Sequence, residues 1–110
     1  MGTVNNLYID QGTSFNAVVQ VFDDNRDPYN LSGYTANAQI RKNYATNTVA
    51  ATFTTSVQSA ANGTIALGLT ASETGNLKYG RYVYDVEIYG SGLTLRPVEG
   101  IVTVYPQVTR

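Results

Sequence analysis

The sequence predicts an all-β fold: two stacked sheets built from about seven short strands. Three observations predict it. Apolar side chains recur at every second position in segment after segment, the period of a strand with one buried face. Clusters of turn-forming residues separate these segments at roughly ten-residue intervals, and no long segment carries a helical period. Charge is scarce, at 14% of the 110 residues against an average of about 25%, and Thr, Asn, Ser, Gly and Tyr stand in its place. That mixture suits strands and turns better than helices.

The elements follow in order. Leu7 to Asp10 offers a short first strand. From Ser14 to Phe22, Phe15, Ala17, Val19 and Val21 share a core face, and Asp23 to Pro28 breaks the run with turn formers. After Gly33, the residues Tyr34, Ala36, Ala38 and Ile40 form one face and Thr35, Asn37, Gln39 and Arg41 the other. Asn43 to Asn47 reads as a loop. Ala51, Phe53, Thr55 and Val57 alternate next. Asn62-Gly63 is a tight-turn signal leading into Ile65, Leu67 and Leu69.

Thr70-Ala71-Ser72-Glu73 matches a capping box, but Gly75 follows almost at once. The expectation is one short helical turn near residues 70–77, with Leu77 folding back as its anchor. Gly80 opens the clearest strand, with Tyr82, Tyr84, Val86 and Ile88 inward and Arg81, Val83, Asp85 and Glu87 outward. Gly90-Ser91-Gly92 supplies a hairpin loop. The return strand, about Leu93 to Tyr105, carries Val98, Gly100, Val102 and Val104 on one face. Pro97 places it at a sheet edge or makes a bulge there. Gly100 marks a second irregularity or a place where a neighbour packs closely. Seven short alternating strands in one domain spanning residues 1–110 is the pattern of an immunoglobulin-like β-sandwich, with a closed barrel as the alternative.

Composition narrows function. Net charge is −1, so no basic surplus exists to neutralise nucleic acid or to hold an anionic membrane surface. There is no cysteine and no histidine, which removes disulfides, thiolate nucleophiles, Cys/His zinc sites and imidazole bases together. The first residues carry neither a positive region nor an apolar run, unlike a signal peptide. No cofactor is expected.

Two constellations invite chemistry. Asp23, Asn25 and Asp27 have the spacing that opens a calcium loop, but Pro28 stands where the turn glycine belongs and Tyr34 where the closing Glu belongs. The reading is a hydrated turn. Asp85 and Glu87 share a strand face with Arg81, and paired carboxylates perform acid/base work only in a concave site. On an alternating polar face they read as a solvated or interface stripe, and the chain is not expected to be an enzyme. The nine tyrosines are a skewed aromatic set without tryptophan. Tyrosine pairs a large flat surface with a hydroxyl and is enriched at interfaces. Tyr34, Tyr82 and Tyr84 fall on core registers. Tyr8, Tyr29, Tyr44, Tyr89 and Tyr105 lie near turns or strand ends and, with Arg110, are the candidate interface residues.

The order of these segments resembles a known family. It runs through Ile9-Asp10-Gln11-Gly12-Thr13-Ser14-Phe15, Pro28 to Ala36, Ala38 to Arg41, Gly63 to Leu67, Gly80 to Glu87 and Glu99 to Val104. In that order the chain is similar to the immunoglobulin-like virion structural modules of tailed phages, including the N-terminal module of siphophage upper baseplate proteins. The resemblance extends from about Leu7 to Val108. It implies a sandwich, a place in the virion, partners among major capsid protein or tail and baseplate components, possible self-association, and no catalytic residues. Baseplate proteins of that kind continue past the module, whereas this sequence stops at Arg110. The first expectation is therefore a capsid decoration (cement) subunit on the capsid exterior, with a baseplate, neck or tail accessory subunit as the alternative. A carbohydrate- or host-surface-binding module is the alternative of a different class. The extended ends, Met1 to Asn6 and Pro106 to Arg110, are long enough to reach a neighbouring subunit.

Overall fold

The computed structural model describes residues 3–90 and 92–108. The strands are β1 (Thr3–Val4), β2 (Leu7–Asp10), β3 (Phe15–Gln20), β4 (Thr35–Arg41), β5 (Ala51–Thr52), β6 (Thr54–Ser59), β7 (Thr64–Leu69), β8 (Gly80–Gly90) and β9 (Leu93–Tyr105), with a short helix α1 (Ala71–Gly75) between β7 and β8. The larger sheet runs β1-β9-β8-β4-β5, with β2 also beside β9, and the smaller runs β3-β7-β6. The predicted immunoglobulin-like sandwich is the observed fold. Its strand count exceeds seven because two of the strands, β1 and β5, are two residues long.

Alternation sets the inward faces as the sequence indicates. Val19, Ile40, Ile65, Leu67, Val86, Ile88, Val98 and Val102 are almost fully buried between the sheets. Burial of such side chains is the main drive for the two sheets to stack, at about 1.5–3 kcal/mol each. Tyr84 stands among them, edge-on to Phe53 at 6.0 Å, and Phe53 meets Phe15 at 6.0 Å. Phe53 also divides what reads in sequence as one strand. Its N–H donates to Ala38 O at 3.0 Å, and the chain there leaves the larger sheet as β5 and enters the smaller as β6.

Local signals behave as their chemistry requires. Thr70 accepts from Glu73 N at 3.1 Å while Glu73 Oε1 accepts from Thr70 N at 2.8 Å, which closes the capping box. Leu77 is buried behind the helix. The Thr74 hydroxyl, fully buried, donates to Thr13 O at 2.8 Å and ties α1 to the β2–β3 connection. Opposite the single residue Glu87, β9 inserts Arg96 and Pro97, so Pro97 sits in a bulge. The Asn62-Gly63 signal marks the end of a four-residue turn between Ser59 and Thr64, not a two-residue one. Gly90 pairs with Leu93 across the β8–β9 hairpin, and Ser91 lies outside the described residues.

The N-terminal expectation needs correction. Thr3–Val4 and Leu7–Asp10 pair in parallel with this chain's own β9, in one continuous register. Residues 3–10 thus belong to the larger sheet and do not extend away from it. Gly100 makes this possible. A Cβ there would lie 2.8 Å from the Asn5 carbonyl carbon and 3.1 Å from Tyr84 Cε1. The Asn5 carbonyl accepts from the Tyr84 hydroxyl, and Asn5 N donates to Glu99 O at 2.8 Å. At the other end, Gln107 N donates to Gln11 Oε1 at 3.1 Å, which holds the chain after β9 to the β2–β3 connection.

Candidate functional site

The outer face of the larger sheet is concave over β4, β8 and β9, enclosing about 640 Å³. Alternation along β8 turns Asp85 and Glu87 into this groove, and register places Gln39 and Glu99 on either side of Asp85 and Asn37 beside Glu87. The β9 bulge delivers the counter-charge. Arg96 Nε lies 2.8 Å from Asp85 Oδ2, and its Nη2 lies 3.4 Å from Glu87 Oε2. The Tyr89 hydroxyl donates to Glu87 Oε1 at 2.7 Å. Arg41 donates to Gln39 Oε1 and to Thr46 O, each at 3.0 Å.

Three carboxylates, Asp85, Glu87 and Glu99, face two arginines, Arg41 and Arg96, in the groove. Burial raises the Asp85 carboxyl above its ordinary value; Arg96 and Arg41 oppose that, and Glu87 and Glu99 reinforce it. The hydrogen bond to Glu87 raises the Tyr89 hydroxyl, against an opposing contact from Asn37. Both carboxylates offered by the sequence therefore do line a concave site. They are engaged by the Arg96 guanidinium and the Tyr89 phenol. Arg81, expected beside them, is exposed farther along β8, opposite Thr103, and Arg96 takes its place.

The tyrosines named from the sequence reach three separate places. Tyr44, exposed, and Tyr89, half-buried, line the groove. Tyr8 and Tyr105, both exposed, stack at 6.4 Å where β2 lies beside β9. Tyr29 turns inward: its hydroxyl is 3.0 Å from that of Tyr34, the rings meet edge-on at 5.7 Å, and both pack on the core. Arg110 lies outside the described residues. In the calcium-like segment, Asp23 Oδ1 accepts from Asn25 N at 2.8 Å and Asp27 N at 3.0 Å, so this carboxylate closes its own turn.

A second feature escaped sequence reading. The outer face of the smaller sheet shows Asn16, Val18 and Gln20 from β3, Thr64, Ala66 and Gly68 from β7, and Thr54, Ser56 and Gln58 from β6. None is charged. Cross-strand rows such as Asn16–Gly68–Thr54 and Val18–Ala66–Ser56 keep it low and even. Each strand alone shows only scattered polar residues; the charge-free surface exists once register sets the three side by side.

The sequence matches no protein-family model and no curated protein. Among solved structures, the chain is similar to the crystal structure of Listeria monocytogenes InlP, with a TM-score of 0.50 at 16% identity. That alignment covers 94% of this chain and 28% of InlP, so the chain spans little more than a quarter of that protein. It is also similar to the crystal structure of the Lin-41 filamin domain, with a TM-score of 0.46 at 16% identity over 89% of this chain and 82% of that one. At 16% identity the likeness to InlP concerns the fold alone.

Proposed function

We propose that this chain is a non-catalytic attachment module, serving as a structural subunit of a tailed-phage virion that sits on the capsid exterior and binds capsid protein. The carrying observation is the charge-free outer face of the smaller sheet. Buried interface centres are depleted in charged residues, because each charge must be stripped of water and paired. A sheet face of Thr, Ser, Asn, Gln, Ala, Gly and one exposed Val desolvates at lower cost than a Lys/Glu surface. Its evenness lets a second protein lie flat against it. Many copies on a symmetric shell multiply weak contacts of this kind. The order of sequence segments supports the virion setting, and the engagement of Asp85 and Glu87 by Arg96 supports a role without turnover.

The test is co-sedimentation of the purified chain with bare capsids of the phage that encodes it. Saturable binding is expected, and Ala66→Arg, which places a charge at the centre of the face, is expected to weaken it at least tenfold. A chain that ignores capsids, or an Ala66→Arg variant that binds equally well, overturns the reading. Binding to purified tails or baseplates instead moves the subunit to those parts.

A second reading rests on the groove. Amides, carboxylates and guanidinia converge there below the exposed ring of Tyr44, a set suited to sugar hydroxyls. Three carboxylates against two arginines favour neutral glycans over acidic ones. Glycan-array binding that is lost in Asp85→Ala and Tyr44→Ala would support this reading.

A further inference from the structure

We infer that the open edge of β3 pairs with the same edge of a second copy, antiparallel about a two-fold axis through Val18. In the common seven-strand sandwich the first strand lies beside the second and covers that edge. Here β1 and β2 are committed to β9 of the opposite sheet, and among the described residues β3 has a strand neighbour on one side only, β7. Val21 N donates to Gly63 O at 2.7 Å on the β7 side. Alternation then aims the N–H and C=O groups of Asn16, Val18 and Gln20 at the open side.

The remaining sheet edges carry devices that discourage strand addition. β5 is two residues long. β6 has a register shift at Gln58, and the Thr55 hydroxyl caps the Ala36 carbonyl on the β4 edge at 2.8 Å. The β1–β2 edge is interrupted between Val4 and Leu7, where Asn6 Oδ1 takes the Ile101 N–H at 3.0 Å. β3 has none of these. Its sequence, FNAVVQ, holds no charge, no proline and no glycine, and its pairing with β7 is regular throughout.

A second copy is the occupant that this strand fits. With Val18 opposite Val18, Asn16 falls opposite Gln20 of the other copy, and every outward-facing backbone group at these positions finds a partner. Inward residues stay inward, since Ala17 meets Val19. Val18, 53% exposed on an uncharged surface, gains a further apolar neighbour in its own mate. The strand is uncharged, so two copies meet without like-charge repulsion. The contact is short, about 20 Å at 3.4 Å per residue. Durable interfaces bury about 1,000 Å² or more, so the free dimer is expected to dissociate at low micromolar concentration. Capsid binding by the face is a separate property, and neither result decides the other.

The chain lacks cysteine, so a single introduced thiol reports on the pairing. Directly opposed residues of a hydrogen-bonded antiparallel pair stand about 5.5 Å apart at Cα, within disulfide range. Val18→Cys under mild oxidation is expected to form crosslinked dimer at least tenfold faster than Ser56→Cys, on the same face but away from the edge. Sedimentation of the unmodified chain at several hundred micromolar is expected to show dimer, and Val18→Lys to abolish it while thermal stability is retained. Equal crosslinking rates, or a monomer at every concentration, overturns the proposal; in the second case the edge is left for a strand of another protein.

Discussion

Replacing Gly100 by alanine tests the close approach of the N-terminal segment to β9. The added Cβ meets the Asn5 carbonyl group, part of a backbone, and the ring of Tyr84, whose hydroxyl bonds that same carbonyl. Neither yields easily, because Tyr84 is wedged against Phe53 in the core. Overpacking of this kind costs about 1–3 kcal/mol. The Tyr84–Asn5 and Asn5–Glu99 hydrogen bonds are lost or lengthened in addition, at about 1 kcal/mol each. If β1 peels away to relieve the clash, the overpacking cost falls but the hydrogen bonds still go. The expectation is about 3 kcal/mol, equivalent to a fall in Tm of roughly 12–24 °C for a domain of this size. Urea and thermal unfolding followed by circular dichroism measure it. Gly33→Ala is the control: its φ of +80° is unfavourable to alanine, yet open space surrounds it, so about 1 kcal/mol is expected. A Gly100→Ala variant within 0.5 kcal/mol of the parent, or no worse than Gly33→Ala, refutes the argument that this glycine admits the N-terminal strand.

Burial pushes the Tyr84 hydroxyl from 10.0 up to about 12. The unfolded chain releases that proton first, so its contribution is complete below pH 10 and is lost between pH 10 and 12, by roughly 2–3 kcal/mol. Denaturant unfolding at pH 9 and pH 11 should show about half of this loss, roughly 1 kcal/mol, and Tyr84→Phe should remove most of it; an unchanged slope in the variant refutes the assignment. Phe53→Ala empties the contact between Phe15, Tyr84 and the sheet crossover and is expected to cost about 3–5 kcal/mol in urea unfolding. A cost below 1.5 kcal/mol would mean that the crossover is not held by this ring. In the groove, Asp85 should titrate above its ordinary 3.8 by carboxyl NMR, and higher still in Arg96→Met, where the nearest opposing charge is gone. A value unaffected by that change contradicts the ion-pair network.

Much of the fold was legible because its determinants are local. The inward sets of β3, β4, β7, β8 and β9 follow from period two, the turn at Thr70 from two side chains reaching two backbone amides, and the bulge at Pro97 from a missing N–H. Even the close approach at Gly100 was open to inference, since a glycine inside a strand needs a reason. Residues 3–6 were not legible as a strand edge. Thr3 and Val4 find partners at Val98 and Glu99, more than ninety positions away, and nothing in Asn5-Asn6 announces that one supplies a carbonyl to Tyr84 and the other a side-chain acceptor to Ile101.

The candidate site divides along the same line. Asp85 and Glu87 could be found because they share a face of one strand. Arg96 could not, because its reach to both depends on how many residues β9 inserts opposite Glu87, a property of the pair and not of either strand. Tyr29 shows the converse. Its place beside a turn suggested exposure, but Tyr34, five residues on, gives its hydroxyl a partner and its ring an edge to pack on, so it turns in. The charge-free face and the open edge of β3 are likewise products of arrangement. Asn16, Val18 and Gln20 would be unremarkable on a strand covered on both sides. Sending β1 and β2 to the opposite sheet is what leaves that edge without a neighbour, so the same choice that anchors the N-terminus at Gly100 also creates the molecule's most available surface for another chain.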